Sequence, residues 1–124
     1  MGIGVGDYEA AKRFYTAALA PLGIASVLEV TPEQNRGHWA SGFGRAGRPD
    51  FWIGSEGRTT PPAHIAFLAE NRAQVVAFYD AAIAAGASDN GAPGLRPHYH
   101  PDYFAAFVID ADGHNIEAVC HRPE

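Results

Sequence analysis

Several features are scarce in this 124-residue sequence, and each scarcity excludes a class of protein. There is one cysteine, Cys120, so the chain can form neither an internal disulfide nor a cysteine-based zinc site. Nine Lys and Arg residues accompany fourteen Asp and Glu residues, and the net charge of -5 has the wrong sign for binding nucleic acid. No apolar run approaches the roughly 20 residues of a membrane span. The first residues lack a secretory signal pattern, so we expect a soluble, cytoplasmic protein with no membrane partner.

The composition is that of a globular protein. Hydrophobic residues make up 47% of the chain and charged residues 19%, which excludes a disordered chain. A chain of this length is sufficient for one domain and too short for two domains that each bury a core. We therefore expect one domain over residues 1–124.

Two segments have helical periodicity and follow the same pattern. The first begins after Asp7 and the second after Asn71, and both residue types are good helix N-caps. An offset of 64 residues superposes these caps and also places Phe14-Tyr15 on Phe78-Tyr79. The sequence therefore contains an internal repeat.

Strand-like segments surround both helices. A short apolar run precedes each helix, and three runs follow it; the runs lie at residues 3–5, 26–30, 37–43 and 50–53, then at 64–68, 95–98, 103–109 and 115–121. The loop at 44–49 separates two of them, and Asp112-Gly113 is a strong hairpin signal between the last two. The order is β-α-β-β-β twice, with module one at about 1–57 and module two at about 62–124. It predicts an α+β fold in which the paired modules form a partly closed sheet around a central cavity.

Two stretches of the sequence resemble the vicinal oxygen chelate superfamily, which includes glyoxalase I, extradiol dioxygenases, fosfomycin-inactivating enzymes and bleomycin-resistance proteins. The first is GIGVGDYEAAKRFYTAALAPLG; the second is AHIAFLAENRAQVVAFYDAAIAAGA with the later YFAAFVIDADGHNIEAVCH. The resemblance extends over nearly the whole chain and is greatest to bacterial glyoxalase-like members. It implies a small-molecule substrate or ligand and a homodimer.

The resemblance also implies a divalent metal ion, held by residues of the first and last strands of each module. In module two these positions are His64 and Glu117, whose imidazole and carboxylate suit Zn, Fe, Mn or Ni. In module one, the residue equivalent to His64 would lie immediately before Met1, and Trp52 stands at the other ligand position. Since a catalytic metal usually has three protein ligands, either a further histidine lies upstream of the first codon or the site is degenerate.

A carboxylate within the apolar strand at 115–121 requires an explanation. Burying Glu117 is costly unless it is paired or binds a cation, and we interpret it as facing inward. The alternative is a solvated outer face that carries Asn115, Glu117 and His121. His64 has an alternative role as well, that of a structural histidine on an apolar strand face.

A polar aromatic cluster precedes the strand at 103–109 and comprises His98, Tyr99, His100 and Tyr103. In an extended backbone His98 and His100 lie on one face, as in many metal sites; alternatively, the flanking prolines mark a loop whose side chains contact water. We assign Tyr103 or His100 to orienting the substrate and Glu117 to catalysis. The predicted substrate pocket contains Trp39, Trp52, Tyr99, His98 and His38.

Two other motifs resemble functional sites, but the residues around them exclude those functions. Residues 42–47 fit G-x-G-x-x-G, but a strand follows instead of a helix, so no helix N-terminus is available for a pyrophosphate. Cys120 and His121 are adjacent on a predicted strand and point to opposite faces, so the histidine cannot activate the thiol.

Three functional hypotheses follow. The first is an enzyme in which a divalent metal chelates vicinal oxygens of the substrate, as a glyoxalase-like lyase or isomerase or as a dioxygenase. The second is a metal-free small-molecule binding protein, similar to the bleomycin-resistance group, with a degenerate metal site. The third is an accessory module whose cavity is vestigial.

Overall fold

Each half of the chain folds into one helix and one mixed sheet, as the internal repeat predicts. The computed structural model describes all residues, 1–124. Module one contains β1 (Gly2–Gly4), α1 (Tyr8–Leu19), β2 (Ala25–Val30), β3 (Ala40–Arg45) and β4 (Arg48–Gly54), with a short 3-10 turn at Ala20–Leu22. Module two contains β5 (His64–Leu68), α2 (Arg72–Ala84), β6 (Ser88–Asp89), β7 (Gly94–Leu95), β8 (Phe104–Ile109) and β9 (Asn115–Cys120). The predicted α+β class and the paired modules are confirmed.

The two helices begin where the sequence places their caps. The Asp7 side chain accepts a hydrogen bond from the Ala10 backbone N–H at 3.1 Å, and Asn71 accepts one from Gln74 at 2.8 Å. Each cap therefore satisfies a backbone donor that the first helical turn leaves unpaired. Neither helix is long and apolar enough to cross a membrane.

The two sheets have the same strand order. It is β1-β4-β3-β2 in module one and β5-β9-β8-β6 in module two, where β7 also pairs with β8. In both modules the first and last long strands are parallel, with Gly2 opposite Trp52 and Ala66 opposite Glu117. Trp52 is thus the structural equivalent of Glu117. The sheets stay separate and neither closes on itself.

The core lies between the helices and one face of each sheet. It contains 22 buried apolar residues drawn from both modules. The Phe51 ring is central, because it contacts Tyr15 and Phe67 at 5.2 Å and Phe43 at 6.2 Å between ring centroids. These contacts join the modules, since Phe67 belongs to β5 while the others belong to module one.

Several strands differ from the sequence prediction, and the predicted strand at 37–43 begins only at Ala40. The β3–β4 connection is a two-residue turn instead of the loop at 44–49, because Ala46 and Gly47 both have positive φ, at 53° and 74°. Such a turn matches the twist of a hairpin and lets both strands continue to its edge. The predicted strand at 95–98 is limited to Gly94–Leu95, because the chain turns after Arg96. Strand β6 was not predicted, since Ser88–Asp89 is short and has no apolar residue.

Candidate functional site

The face of the second sheet that points away from the helices carries the candidate site. On β5, Ile65 and Phe67 point into the core, whereas His64 and Leu68 are exposed. On β9, Ile116, Ala118 and Cys120 enter the core, so Glu117 points to the same open face as His64. The prediction that Cys120 and His121 separate is confirmed, because the cysteine is buried and the histidine exposed.

His64, Glu117 and Tyr103 form one hydrogen-bonded group. His64 Nε2 lies 2.8 Å from Glu117 Oε1, and the Tyr103 hydroxyl donates to Glu117 Oε2. The Glu117 side chain is only 2% exposed, while 54% of the His64 side chain is exposed. Glu117 is therefore a buried carboxyl group whose only ion-pair partner is a histidine with an edge open to solvent. Glu117 is thus buried, as predicted, and its side chain lies on the sheet face opposite the helices.

Tyr103 is set up to be a hydrogen-bond donor. Burial and the hydrogen bond to Glu117 raise the pKa of Tyr103 to about 12. The phenol therefore keeps its proton through the neutral range and holds one oxygen of the carboxylate. The other Glu117 oxygen faces His64.

His100 lies beside Tyr103 but makes a different hydrogen bond. Its Nδ1 accepts from the Asp102 backbone N–H, so Nε2 carries the proton and donates to His121 Nδ1 at 2.7 Å. Both imidazoles contact the Tyr103 ring, with centroids 5.3 and 5.2 Å away. His100 therefore supports Tyr103 by packing and has no hydrogen bond to Glu117.

His98 and Tyr99 do not take the extended conformation that would align His98 with His100. The Tyr99 N–H donates to the Arg96 carbonyl and the Tyr103 N–H donates to that of His100, which makes this segment a pair of turns. The extended arrangement is therefore wrong. His98 packs on Tyr99 at 4.3 Å, and Tyr99 is 57% exposed, as expected for a loop.

The remaining predicted pocket residues lie in module one. Trp52 is partly buried against Gly42, where an added Cβ would come within 3.0 Å of the indole ring. Trp39 stacks on Tyr8 at 6.1 Å, and His38 is exposed in the loop before β3. No hydrogen bond or ring contact joins these three residues to the His64, Glu117 and Tyr103 group.

Pockets lie on both sides of the second sheet, the open side and the helical side. A cleft of about 310 Å³ runs along β5 and is lined by His64 together with Met1, Arg45 and Asp50 of module one. A second pocket of about 300 Å³ lies among the start of α1, the end of α2 and the β8–β9 turn, and it contains neither His64 nor Glu117. Only the first cleft contains a residue of the candidate site.

The donors present fit part of a divalent metal site. An imidazole and a carboxylate are donor types that divalent metals accept, and in this structure His64 Nε2 and Glu117 Oε1 hydrogen-bond each other at 2.8 Å. No group of three or more His, Cys, Asp or Glu side chains is arranged to hold a metal ion. The chain therefore offers two protein ligands, one fewer than catalytic zinc sites usually have.

Comparison with known proteins identifies the family. The family model for the glyoxalase/bleomycin resistance protein/dioxygenase superfamily matches residues 1–118. The chain belongs to this superfamily. Among curated proteins, none matches the sequence.

Solved structures of superfamily proteins have the same fold. A glyoxalase/bleomycin resistance protein from Albidiferax ferrireducens is 27% identical with a TM-score of 0.70, and the match covers 98% of this chain and 95% of that one. A domain of this superfamily from Frankia is 16% identical with a TM-score of 0.72, covering 98% and 94%. A glyoxalase I mutant from Zea mays is 18% identical with a TM-score of 0.70; that match covers 98% of this chain and 45% of the maize protein.

Sequence reasoning did not identify two neighbours of the site. Phe107 lies opposite Glu117 in the β8–β9 ladder, with its ring 6.2 Å from the His64 imidazole. The alternation from Tyr103 to Phe107 could have placed it on the same face. His121 appears in the sequence analysis beside Cys120 and on a possible solvated face, but its contact with His100 depends on a turn that has no clear sequence signal.

Proposed function

We propose that this superfamily member is a small-molecule enzyme in which His64 and Glu117 hold a divalent metal ion, Zn, Fe, Mn or Ni. One observation carries the proposal. Glu117 is almost completely buried and has no Lys or Arg partner, while the histidine beside it is exposed along the cleft. A buried carboxylate of this kind is costly without a cation, and a divalent ion would supply one.

The protein residues would then have distinct roles. His64 and Glu117 bind, and Tyr103 fixes the orientation of Glu117 through its second oxygen. When bound, the ion would act as a Lewis acid on two adjacent oxygens of the substrate. Glu117 is the candidate for holding or moving a proton, in a glyoxalase-like lyase or isomerase reaction or in a dioxygenase. His100 acts on Tyr103 by packing against its ring.

The proposal includes a homodimer in the cytoplasm. Leu68, on the same strand face as His64, is 58% exposed, and Met1 beside the cleft is 72% exposed. A second copy covering Leu68 and Met1 would shield the site from water. Size-exclusion chromatography with light scattering tests the stoichiometry, and a monomer at micromolar concentration would contradict the dimer.

Metal titration tests the enzyme proposal. Chelator-treated protein is titrated with ZnCl2, MnCl2 and NiCl2 by calorimetry, and we expect one site per chain for at least one of these ions. Glu117→Gln and His64→Ala should each weaken binding by about tenfold or more, since each removes one of two ligands. Glu33→Gln, at an exposed position of a loop, is the matched control. Absence of binding, or equal affinity in all variants, would refute the metal site.

A metal-free binding protein is the second candidate, and Trp52 favours it. This residue occupies the position in module one that Glu117 occupies in module two, which makes the first sheet more apolar. Metal-free bleomycin is a suitable probe, and binding should quench tryptophan fluorescence in the presence of EDTA. Quenching that requires added metal, or that persists unchanged in Trp52→Phe, would count against this alternative.

A further inference from the structure

Arg96 is a cation held in a fixed position beside the candidate site. Its guanidinium carbon lies 5.4 Å from the centroid of the Phe107 ring. Its Nη1 donates to the Gly94 carbonyl at 2.8 Å, and Nη2 donates to that of Ala92 at 2.9 Å. These contacts anchor a side chain that would otherwise be a mobile loop charge.

Phe107 connects this cation to the proposed ligands. Its ring contacts the His64 imidazole at 6.2 Å as well as the Arg96 guanidinium at 5.4 Å, so the two groups are no farther apart than the sum of these distances. Phe107 lies opposite Glu117 on the neighbouring strand. A molecule of modest size can therefore contact His64, Phe107 and Arg96 at once.

The loop from Gly91 to Gly94 is shaped around the guanidinium. A Cβ at Gly91, whose φ is +146°, would lie 3.0 Å from the Phe107 ring and 3.1 Å from Arg96 Nη2. A Cβ at Gly94 would lie 3.2 Å from Arg96 Nη1. The two glycines thus let the backbone approach Arg96 closely from two sides.

Arg96 has hydrogen-bonding capacity left over. A guanidinium has five N–H donors, and the two bonds to backbone carbonyls leave three of them without a protein partner. Arg96 takes part in none of the three salt bridges of the chain. The structure therefore presents a positioned, partly buried cation with no anion beside it.

We infer that Arg96 binds a carboxylate of the substrate and thereby determines specificity for anionic molecules. The substrate class is a compound with two adjacent oxygens at one end, a flat apolar body against Phe107, and a carboxylate at the other end. A guanidinium pairs with a carboxylate in bidentate geometry, which gives both affinity and orientation. This inference rests on the proposed function, because His64 and Glu117 must take the oxygen-bearing end.

Two catechol probes of equal size test the inference by binding. One is 3-(3,4-dihydroxyphenyl)propionate, and the other is its uncharged amide. Both are titrated into the full-length protein supplemented with MnCl2. Tryptophan fluorescence and calorimetry report the affinity. We expect the carboxylate to bind about tenfold more tightly, a difference of about 1.4 kcal/mol. Arg96→Gln should abolish this preference, so that the two probes bind the variant with equal affinity, and Arg96→Lys should keep part of it.

Arg72 offers a matched control. Its guanidinium lies 5.2 Å from the Phe104 ring, but Phe104 packs on the helical side of the same strand. Arg72→Gln should keep the preference for the carboxylate. Circular dichroism confirms that each variant folds, and if Arg96→Gln does not fold, the comparison rests on Arg96→Lys and Arg72→Gln.

The outcomes separate this inference from the proposed function. Equal binding of both probes to the wild type, or a preference that persists in Arg96→Gln, refutes the role of Arg96 alone. Binding that is indifferent to both EDTA and His64→Ala refutes the proposed metal site, and the charge preference still reports on Arg96. If neither catechol binds in the presence of MnCl2, the inference is refuted, whereas the proposed function is decided separately by the metal titration.

Discussion

The hydrogen bond between Tyr103 and Glu117 should make a large contribution to stability, and Tyr103→Phe is the direct test. The substitution removes one oxygen and keeps the ring, which contacts His100 and His121. The hydroxyl donates to a carboxyl group that is 2% exposed, so little water can replace the lost donor. Glu117 would then retain only its contact with His64.

The expected magnitude follows from the charge and burial of the acceptor. A hydrogen bond to a charged group contributes about 1.5–3 kcal/mol, and a buried acceptor left unsatisfied adds to the loss. We expect Tyr103→Phe to reduce the free energy of unfolding by about 2 kcal/mol. Tyr99→Phe is the matched control, because the Tyr99 ring also belongs to this cluster but its hydroxyl makes no hydrogen bond. Its effect should stay within about 0.5 kcal/mol.

Urea denaturation monitored by circular dichroism at pH 7 measures both variants. A double-mutant cycle with Glu117→Gln then isolates the pairwise term, and we expect a coupling energy of about 1 kcal/mol or more for residues in direct contact. Equal, small effects of Tyr103→Phe and Tyr99→Phe would refute the reasoning. A coupling energy near zero would show that the loss comes from elsewhere.

Three further predictions concern module one and its core. Gly44→Ala should severely destabilise the protein, because a Cβ there would lie 1.7 Å from the Arg48 carbonyl oxygen. Gly2→Ala is the control and should be tolerated, since a Cβ at Gly2 meets only an ordinary contact at 3.5 Å. Thermal melts compare the two variants, and equal melting temperatures would contradict this prediction. Phe51→Ala should cost about 3–5 kcal/mol in urea denaturation, since the ring is 2% exposed and packs against three other aromatic rings. Burial, opposed in part by a side-chain hydrogen bond, raises the pKa of Tyr8 to about 12, above the 10.0 of an unfolded tyrosine. The folded state therefore favours the protonated phenol, so stability is retained below pH 10 and declines as the pH rises through about 12. Tyr8→Phe should reduce that decline. Identical alkaline unfolding profiles of the variant and the wild type would contradict the assignment.

The parts of the fold with strong local signals could be predicted from the sequence. Asp7 and Asn71 are N-caps because their side chains accept a backbone hydrogen bond, a property of the residue itself. The spacing of 64 residues held for the first strands and helices because it reflects a repeated unit. The turn at Ala46-Gly47 was less visible, since Ala46 rarely adopts positive φ and has no turn signature of its own.

Of the candidate site, only the burial of Glu117 could be predicted from the sequence. An isolated carboxylate in an apolar strand indicated that Glu117 is buried and paired. The 2% exposure of its side chain and its contact with His64 support that interpretation. The fixed position of Arg96 depends on carbonyls of its own loop and on a ring from β8, contacts between segments that no spacing rule specifies. For the same reason, the turns around His98 could not be distinguished from an extended segment by alternation alone.

The symmetry between the modules is limited to the backbone. Two identical open faces would present a bound molecule with two equivalent orientations, related by the repeat. Trp52 removes that equivalence, because an indole stands over Gly42 where module two has a carboxylate held by a phenol. One face is thus apolar and the other bears charge, so a ligand with an oxygen-rich end and an apolar end would have a single preferred orientation. The two modules share one backbone arrangement, and the difference between Trp52 and Glu117 at equivalent positions gives the pair its polarity.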